Sequence, residues 1–204
     1  MIIMPKGKLI VFDGIDGAGS ETQSRLLSEF LAEKGMQCLV VNYPDYQNPI
    51  GNFIHNYLNG SDHIPVAVRL VLYTADMLKD KEGVEQALSD GKIVIANRYV
   101  TTALAYQVVE GFDAQKALEY LKVMGFPVPD IAVYLKIKPE TSKKRKLKEK
   151  GRLDRIESDL QLLAKVGARY EEMAEKDVFC RWVVVDGEKP ISKVFEDVKR
   201  VLGF

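Results

Sequence analysis

The chain has 204 residues, enough for one domain with a proper core, and its 47% apolar and 28% charged content excludes a disordered or fibrous protein. Lysine plus arginine equals aspartate plus glutamate at 29 each, so the net charge is zero, which argues against a general nucleic-acid binder. The two cysteines, Cys38 and Cys180, form no CxxC pair and lie beside no histidine cluster, which argues against a disulfide framework or structural zinc and fits a reducing cytoplasm.

The N-terminus has too short an apolar run before Asp13 for a signal peptide, and no segment approaches the roughly 20 apolar residues that span a bilayer. Lys8 to Phe12 reads as a buried strand, stopped by the glycine-rich DGIDGAG. Leu26, Leu27, Phe30 and Leu31 then recur at helical spacing up to Gly35. Cys38 to Val41 is a second strand, and Pro44 and Pro49 bracket a loop. Pro65 to Leu88 reads as one long helical pattern closed by Asp90-Gly91. Further strands follow at Ile93 to Ala96, Ile131 to Leu135 and Trp182 to Val185, with a last helix near Ile191 to Leu202. Continuous apolar strands separated by helices predict a parallel sheet covered on both faces. The whole chain, 1–204, therefore reads as a single three-layer α/β domain with a five-stranded parallel sheet. Ligands in such sheets sit beyond the carboxyl ends of the strands.

The segment Gly14-Ile15-Asp16-Gly17-Ala18-Gly19-Ser20-Glu21-Thr22 follows the first strand and opens the first helix. Its frame is that of the P-loop, GxxxxGK[ST], in which backbone amides and a helix N-terminus hold phosphates. Ser20 stands where the motif has lysine, and Glu21 where it has a hydroxyl residue. Backbone cradling of a phosphate needs neither side chain.

Further motifs follow in order: YPDY with PIG, LYTADM, NRYVTTALAYQ, GFPVPDIAVYL with KPE, and GRLDRIE. Together with FDGIDGAGSETQ they resemble the thymidylate kinase family, P-loop enzymes that phosphorylate dTMP from ATP with Mg2+. The resemblance covers nearly the whole chain and implies a P-loop NTPase fold with a short lid at about residues 139–157. It implies a role for Asp16 near the acceptor sugar and the metal region, with Glu21 a second candidate at the metal. It sets Tyr43 in the acceptor segment and Tyr73 at the family's base-stacking aromatic. Arg98 matches an arginine that contacts the acceptor phosphate, a task suited to its planar fork. Thr102 and Gln107 fall near the base, and Tyr106 crowds the sugar's 2′ position. Arg152 and Arg155 match the cationic lid, with Gly17 at the position where another subgroup carries its catalytic arginine. The resemblance further implies a homodimer, a cytoplasmic protein, and neither a nucleic-acid nor a membrane partner.

The chain also departs from the pattern. Ser20 removes a phosphate-neutralising lysine, Asn97 replaces the aspartate before Arg98, and Met77 replaces an arginine that hydrogen-bonds the thymine edge. Tyr46 stands where many members carry an arginine. A lysine of the basic helix, Lys144 or Lys148, is the candidate replacement for the missing one. Two other readings stay open at this point: a kinase for another nucleoside monophosphate, and a non-catalytic nucleotide-binding homologue.

Overall fold

The computed structural model describes residues 7–204; the first six residues of the N-terminal stretch read above lie outside the described residues. Five strands form one parallel sheet: β1 (Lys8–Asp13), β2 (Cys38–Asn42), β3 (Ile93–Asn97), β4 (Ile131–Lys136) and β5 (Trp182–Asp186), in the order β2-β3-β1-β4-β5. Register runs Phe12 beside Asn97 on one side and Phe12 beside Val133 on the other, so the ends of β1, β3 and β4 open at one level.

The two central neighbours explain the apolar runs. All of β3 and every residue of β1 after Lys8 are buried, as a parallel strand covered on both faces requires. The edge strands β2 and β5 are only partly covered.

Only the β1-to-β2 connection runs toward the β2 edge, and the other three run the opposite way. Right-handed crossovers then put α1 (Ser20–Glu33) on one face and the helices of the later connections on the other. On the second face lie α3 (Val66–Leu78), α5 (Val100–Val109) and α8 (Leu160–Glu175), with α5 packed on both α3 and α8. The last helix, α9 (Ile191–Leu202), returns to pack against α1 and β5.

Two expectations need correction. Pro44 and Pro49 do not simply bracket a loop: Pro49 is the first residue of a helix, α2 (Pro49–Asn59). Asn48 caps it by accepting from the amides of Ile50 and Gly51, and proline at the first helical position loses no intrahelical bond. The pattern from Pro65 to Leu88 is two helices, α3 and α4 (Lys81–Ser89), broken at Lys79-Asp80. At the break the Lys79 ammonium is drawn to Asp45, Asp76 and Asp80, a tertiary cluster that helical periodicity does not report. A short α6 (Ala114–Val123) precedes β4, and α7 (Pro139–Lys150) carries the basic run. Among the described residues no helix is long and apolar enough to cross a membrane.

Candidate active site

A cavity of about 1820 Å³ opens beyond the carboxyl ends of β1, β2 and β3. Its floor is the loop between β1 and α1. Gly19 precedes α1 in a left-handed conformation and no side chain caps the helix, so its first amides face the cavity mouth unsatisfied. Unpaired amides at a helix N-terminus attract negative charge. Gly17 is also left-handed, at φ 73°, and a Cβ there would stand 3.2 Å from the carbonyl oxygen of Ser142 in α7. Helix α7 therefore packs directly against the loop between β1 and α1.

Arg98 ties the loop to β3. Its backbone holds φ 63°, a region that side-chain-bearing residues rarely occupy, and its amide donates to the carbonyl of Phe12 at 2.9 Å. The side chain donates to the Gly14 carbonyl at 3.1 Å and to Asp16 Oδ1 at 2.8 Å. Tyr106 donates its hydroxyl to the other Asp16 oxygen at 3.1 Å. Burial works against the Arg98 charge, but Asp16 together with Tyr106, Tyr170 and Asp13 outweighs it and holds the guanidinium pKa well above its usual value. Burial, then Asp16, push the Tyr106 phenol well above its ordinary range, so it remains a donor.

Of the residues singled out in the sequence, Asp16 through Thr22, Tyr43, Tyr73, Arg98, Thr102, Tyr106, Gln107 and Arg152 line this one cavity. Gly14 lies just beneath it as the carbonyl held by Arg98, while Ile15 is buried in the core. Arg155 does not reach the wall: its guanidinium donates to the carbonyls of Asp62 and Gly60 and lies 4.3 Å from the Tyr57 ring centroid, tying the segment after α7 to α2. Lys144 and Lys148 are exposed and off the cavity, whereas Arg145, Lys146 and Lys150 line it. Arg145 donates to the carbonyls of Gly17 (3.1 Å) and Gly187 (2.8 Å). Lys146 bonds both Glu149 oxygens at 2.8 and 2.9 Å, and Lys150 pairs with Glu157 at 2.9 Å.

Asp13 escaped the sequence reading, where it marked only the end of a strand. It is fully buried and accepts from Thr101, Thr102 and Tyr170. Burial raises its pKa against the pull of those hydroxyls and of Arg98. Its one legible signal was position: a carboxylate ending an apolar strand just before the phosphate loop.

A sequence model of thymidylate kinases matches residues 12–198. The chain belongs to the thymidylate kinase family. It is 32% identical over 199 residues to the thymidylate kinase of Thermoanaerobacter sp. (strain X514), covering 95% of this chain and 96% of that one. A probable thymidylate kinase from Pyrococcus horikoshii is 31% identical over 201 residues, with 95% and 94% covered. In three dimensions it is similar to the thymidylate kinase of Candida albicans, with a TM-score of 0.78 at 25% identity, covering 97% of this chain and 92% of that one. Membership makes the departures in this cavity the informative part of it: Ser20, Glu21, Met77 and Asn97 all line the wall.

Among the described residues no group of three or more His, Cys, Asp or Glu side chains could hold a metal alone. The cavity does fit a magnesium ion that arrives with phosphates and keeps several waters. Asn97 Oδ1 is a buried acceptor with no partner, and the exposed Glu21 carboxylate stands in the first turn of α1 on the same wall.

Proposed function

We propose that the chain transfers the γ-phosphoryl group of ATP to the 5′-phosphate of dTMP, giving dTDP and ADP. The observation that carries this reading is the Arg98–Asp16 pair, which joins the anion-binding loop to the wall bearing Tyr73, Tyr106 and Gln107 within one cavity. A donor phosphate on the α1 amides and an acceptor against that wall would meet beside Arg98.

An acceptor phosphate oxygen attacks the γ-phosphorus and the bond to the bridging β-oxygen breaks. A phosphate monoester has its second pKa near 6, so the attacking oxygen is already unprotonated at neutral pH and no general base is required. This makes asparagine tolerable at position 97, where an aspartate could serve only as acceptor or metal anchor. What the reaction does require is positive charge around the migrating group. The α1 amides, Arg98, Arg152 and Lys146 supply it, with Lys146 rather than Lys144 or Lys148 standing in for the lysine absent at Ser20. Lys146 lies against Gly17, and its present partners, Glu149 and Glu157, are carboxylates that a polyphosphate would displace. Magnesium would be held by Asn97, Glu21 and Asp16 beside the phosphates, where it neutralises charge. Lid closure over the loop excludes water.

The same reading takes the protein as cytoplasmic and as a homodimer, the second supported by the exposed Val68 and Val71 on α3. The test is ADP formation from ATP and magnesium with a panel of nucleoside monophosphates. Turnover highest with dTMP is expected; nucleotide binding without turnover on any acceptor overturns the proposal.

A further inference from the structure

Arg69 on α3 and Glu110 at the C-terminal cap of α5 form an ion pair at 2.5 Å, with side chains only 10% and 17% exposed. Arg69 lies one turn before Tyr73 and two before Met77, so the three share one side of α3. Glu110 lies one turn after Gln107 in the same manner. All five residues line the cavity. Burial opposes the Arg69 guanidinium charge, yet the Glu110 hydrogen bond and charge raise its pKa above the usual value.

The pair is also incomplete. Arg69 Nε and Glu110 Oε2 are both buried and have no hydrogen-bond partner. A buried ion pair is favourable only when its remaining donors and acceptors are satisfied, and each orphan is costly. A clamp between two helices would gain nothing by leaving one donor and one acceptor unpaired in residues that line a cavity.

Met77, meanwhile, offers no donor where the family has an arginine for the thymine edge. We propose that Arg69 and Glu110 together read the polar edge of the acceptor base in its stead. An N–H donor from Arg69 and a carboxylate acceptor from Glu110 complement a ring N–H flanked by a carbonyl oxygen, the edge of thymine and uracil. Cytosine presents a bare ring nitrogen there, which the carboxylate repels. Gln107 stands beside the pair, and Tyr73 provides the ring face. The inference rests on the dTMP kinase reading and names the residues that select its base.

The experiment is calorimetric titration of dTMP and N3-methyl-dTMP into the wild type and an Arg69→Met/Glu110→Met double variant, without ATP. Two methionines remove both charges at once and keep the wall filled, which avoids stranding a lone buried charge. In the wild type, N3-methylation should weaken binding by about tenfold or more, as expected when a buried acceptor loses its donor. In the double variant dTMP should bind at least about tenfold more weakly, with the methyl penalty reduced below about threefold. Unchanged dTMP affinity, or a full methyl penalty in the double variant, overturns the proposal and leaves the pair a structural clamp. Should that variant not fold, Arg69→Leu/Glu110→Leu, which also removes both charges and the acceptor, is read for the same penalty. Tight dTMP binding without ADP formation by the wild type removes the kinase reading and leaves this one standing. Normal turnover with an indifferent double variant does the reverse.

Discussion

The guanidinium of Arg98 and the carboxylate of Asp16 are 82 residues apart in sequence and 2.8 Å apart in space. The bond spans the gap between the end of β3 and the phosphate loop, so each residue sets the other's position. Arg98→Lys keeps the charge and the backbone conformation but not the two-pronged reach to Gly14 and Asp16. Its turnover with dTMP should fall about 10²-fold, the usual scale for one preorganised transition-state contact. Melting followed by circular dichroism should show the fold retained. Turnover within about threefold of wild type would remove Arg98 from the reacting centre.

Lys146 separates from its neighbours by its place against the loop. Lys146→Ala should lower the maximal rate at saturating ATP by about 10- to 100-fold, while Lys144→Ala and Lys148→Ala leave it unchanged. Restoring the absent pair with Ser20→Lys/Glu21→Thr should raise the rate and make it insensitive to Lys146→Ala. Steady-state ADP release on this set of variants checks the exchange directly, and equal effects at 144, 146 and 148 would reduce the helix to a diffuse basic surface.

Asp13 makes stability depend on pH in an unusual direction for a carboxylate. Burial raises its pKa in the folded state, so the fold binds its proton more tightly than the unfolded chain does. The stability it contributes is present in full below the unfolded value near 4 and fades as pH rises through the folded one. Asp13→Asn cannot ionise and should keep that contribution. Thermal melts at acid and neutral pH should therefore show the variant gaining on the wild type as pH rises; parallel curves would mean that Thr101, Thr102 and Tyr170 already offset the burial.

Cys180 is buried at the foot of β5, and burial pushes its thiol up to about 12. Cys38 is only half-buried on the edge strand β2, beside the Ser28 hydroxyl. A thiol-specific chromogenic reagent at neutral pH should titrate one cysteine in the native protein and two in denaturant. Mass mapping should place the native adduct on Cys38.

How much of this was legible beforehand varies with the range of the forces involved. Local apolar runs mark all five strands, because each buried strand needs an uninterrupted stretch and the end of each apolar run bounds it. The turn from β1 into α1 was readable despite Ser20, since its glycines and its place between strand and helix carry the backbone geometry. The helix Pro49–Asn59 was not, because its start depends on Asn48, whose amide is itself held by Asp45 and Asp76. The break at Lys79 rests on the same aspartates. Arg69 and Glu110 are 41 residues apart, and nothing local announces that an arginine in an apolar helix has found its partner. Arg155, chosen for its motif, turns instead toward Gly60 and Asp62, carbonyls on a segment that periodicity could not fold.

The contact of Gly17 with the carbonyl of Ser142 has a consequence for how such a site can change over time. Any side chain at position 17 would meet α7 in a backbone conformation that already disfavours it. A residue larger than glycine there would need α7 to give by a few tenths of an ångström, and Arg145 and Lys146 would move with it. A change in the loop is therefore felt first in the basic helix, and the two elements are free to vary only together.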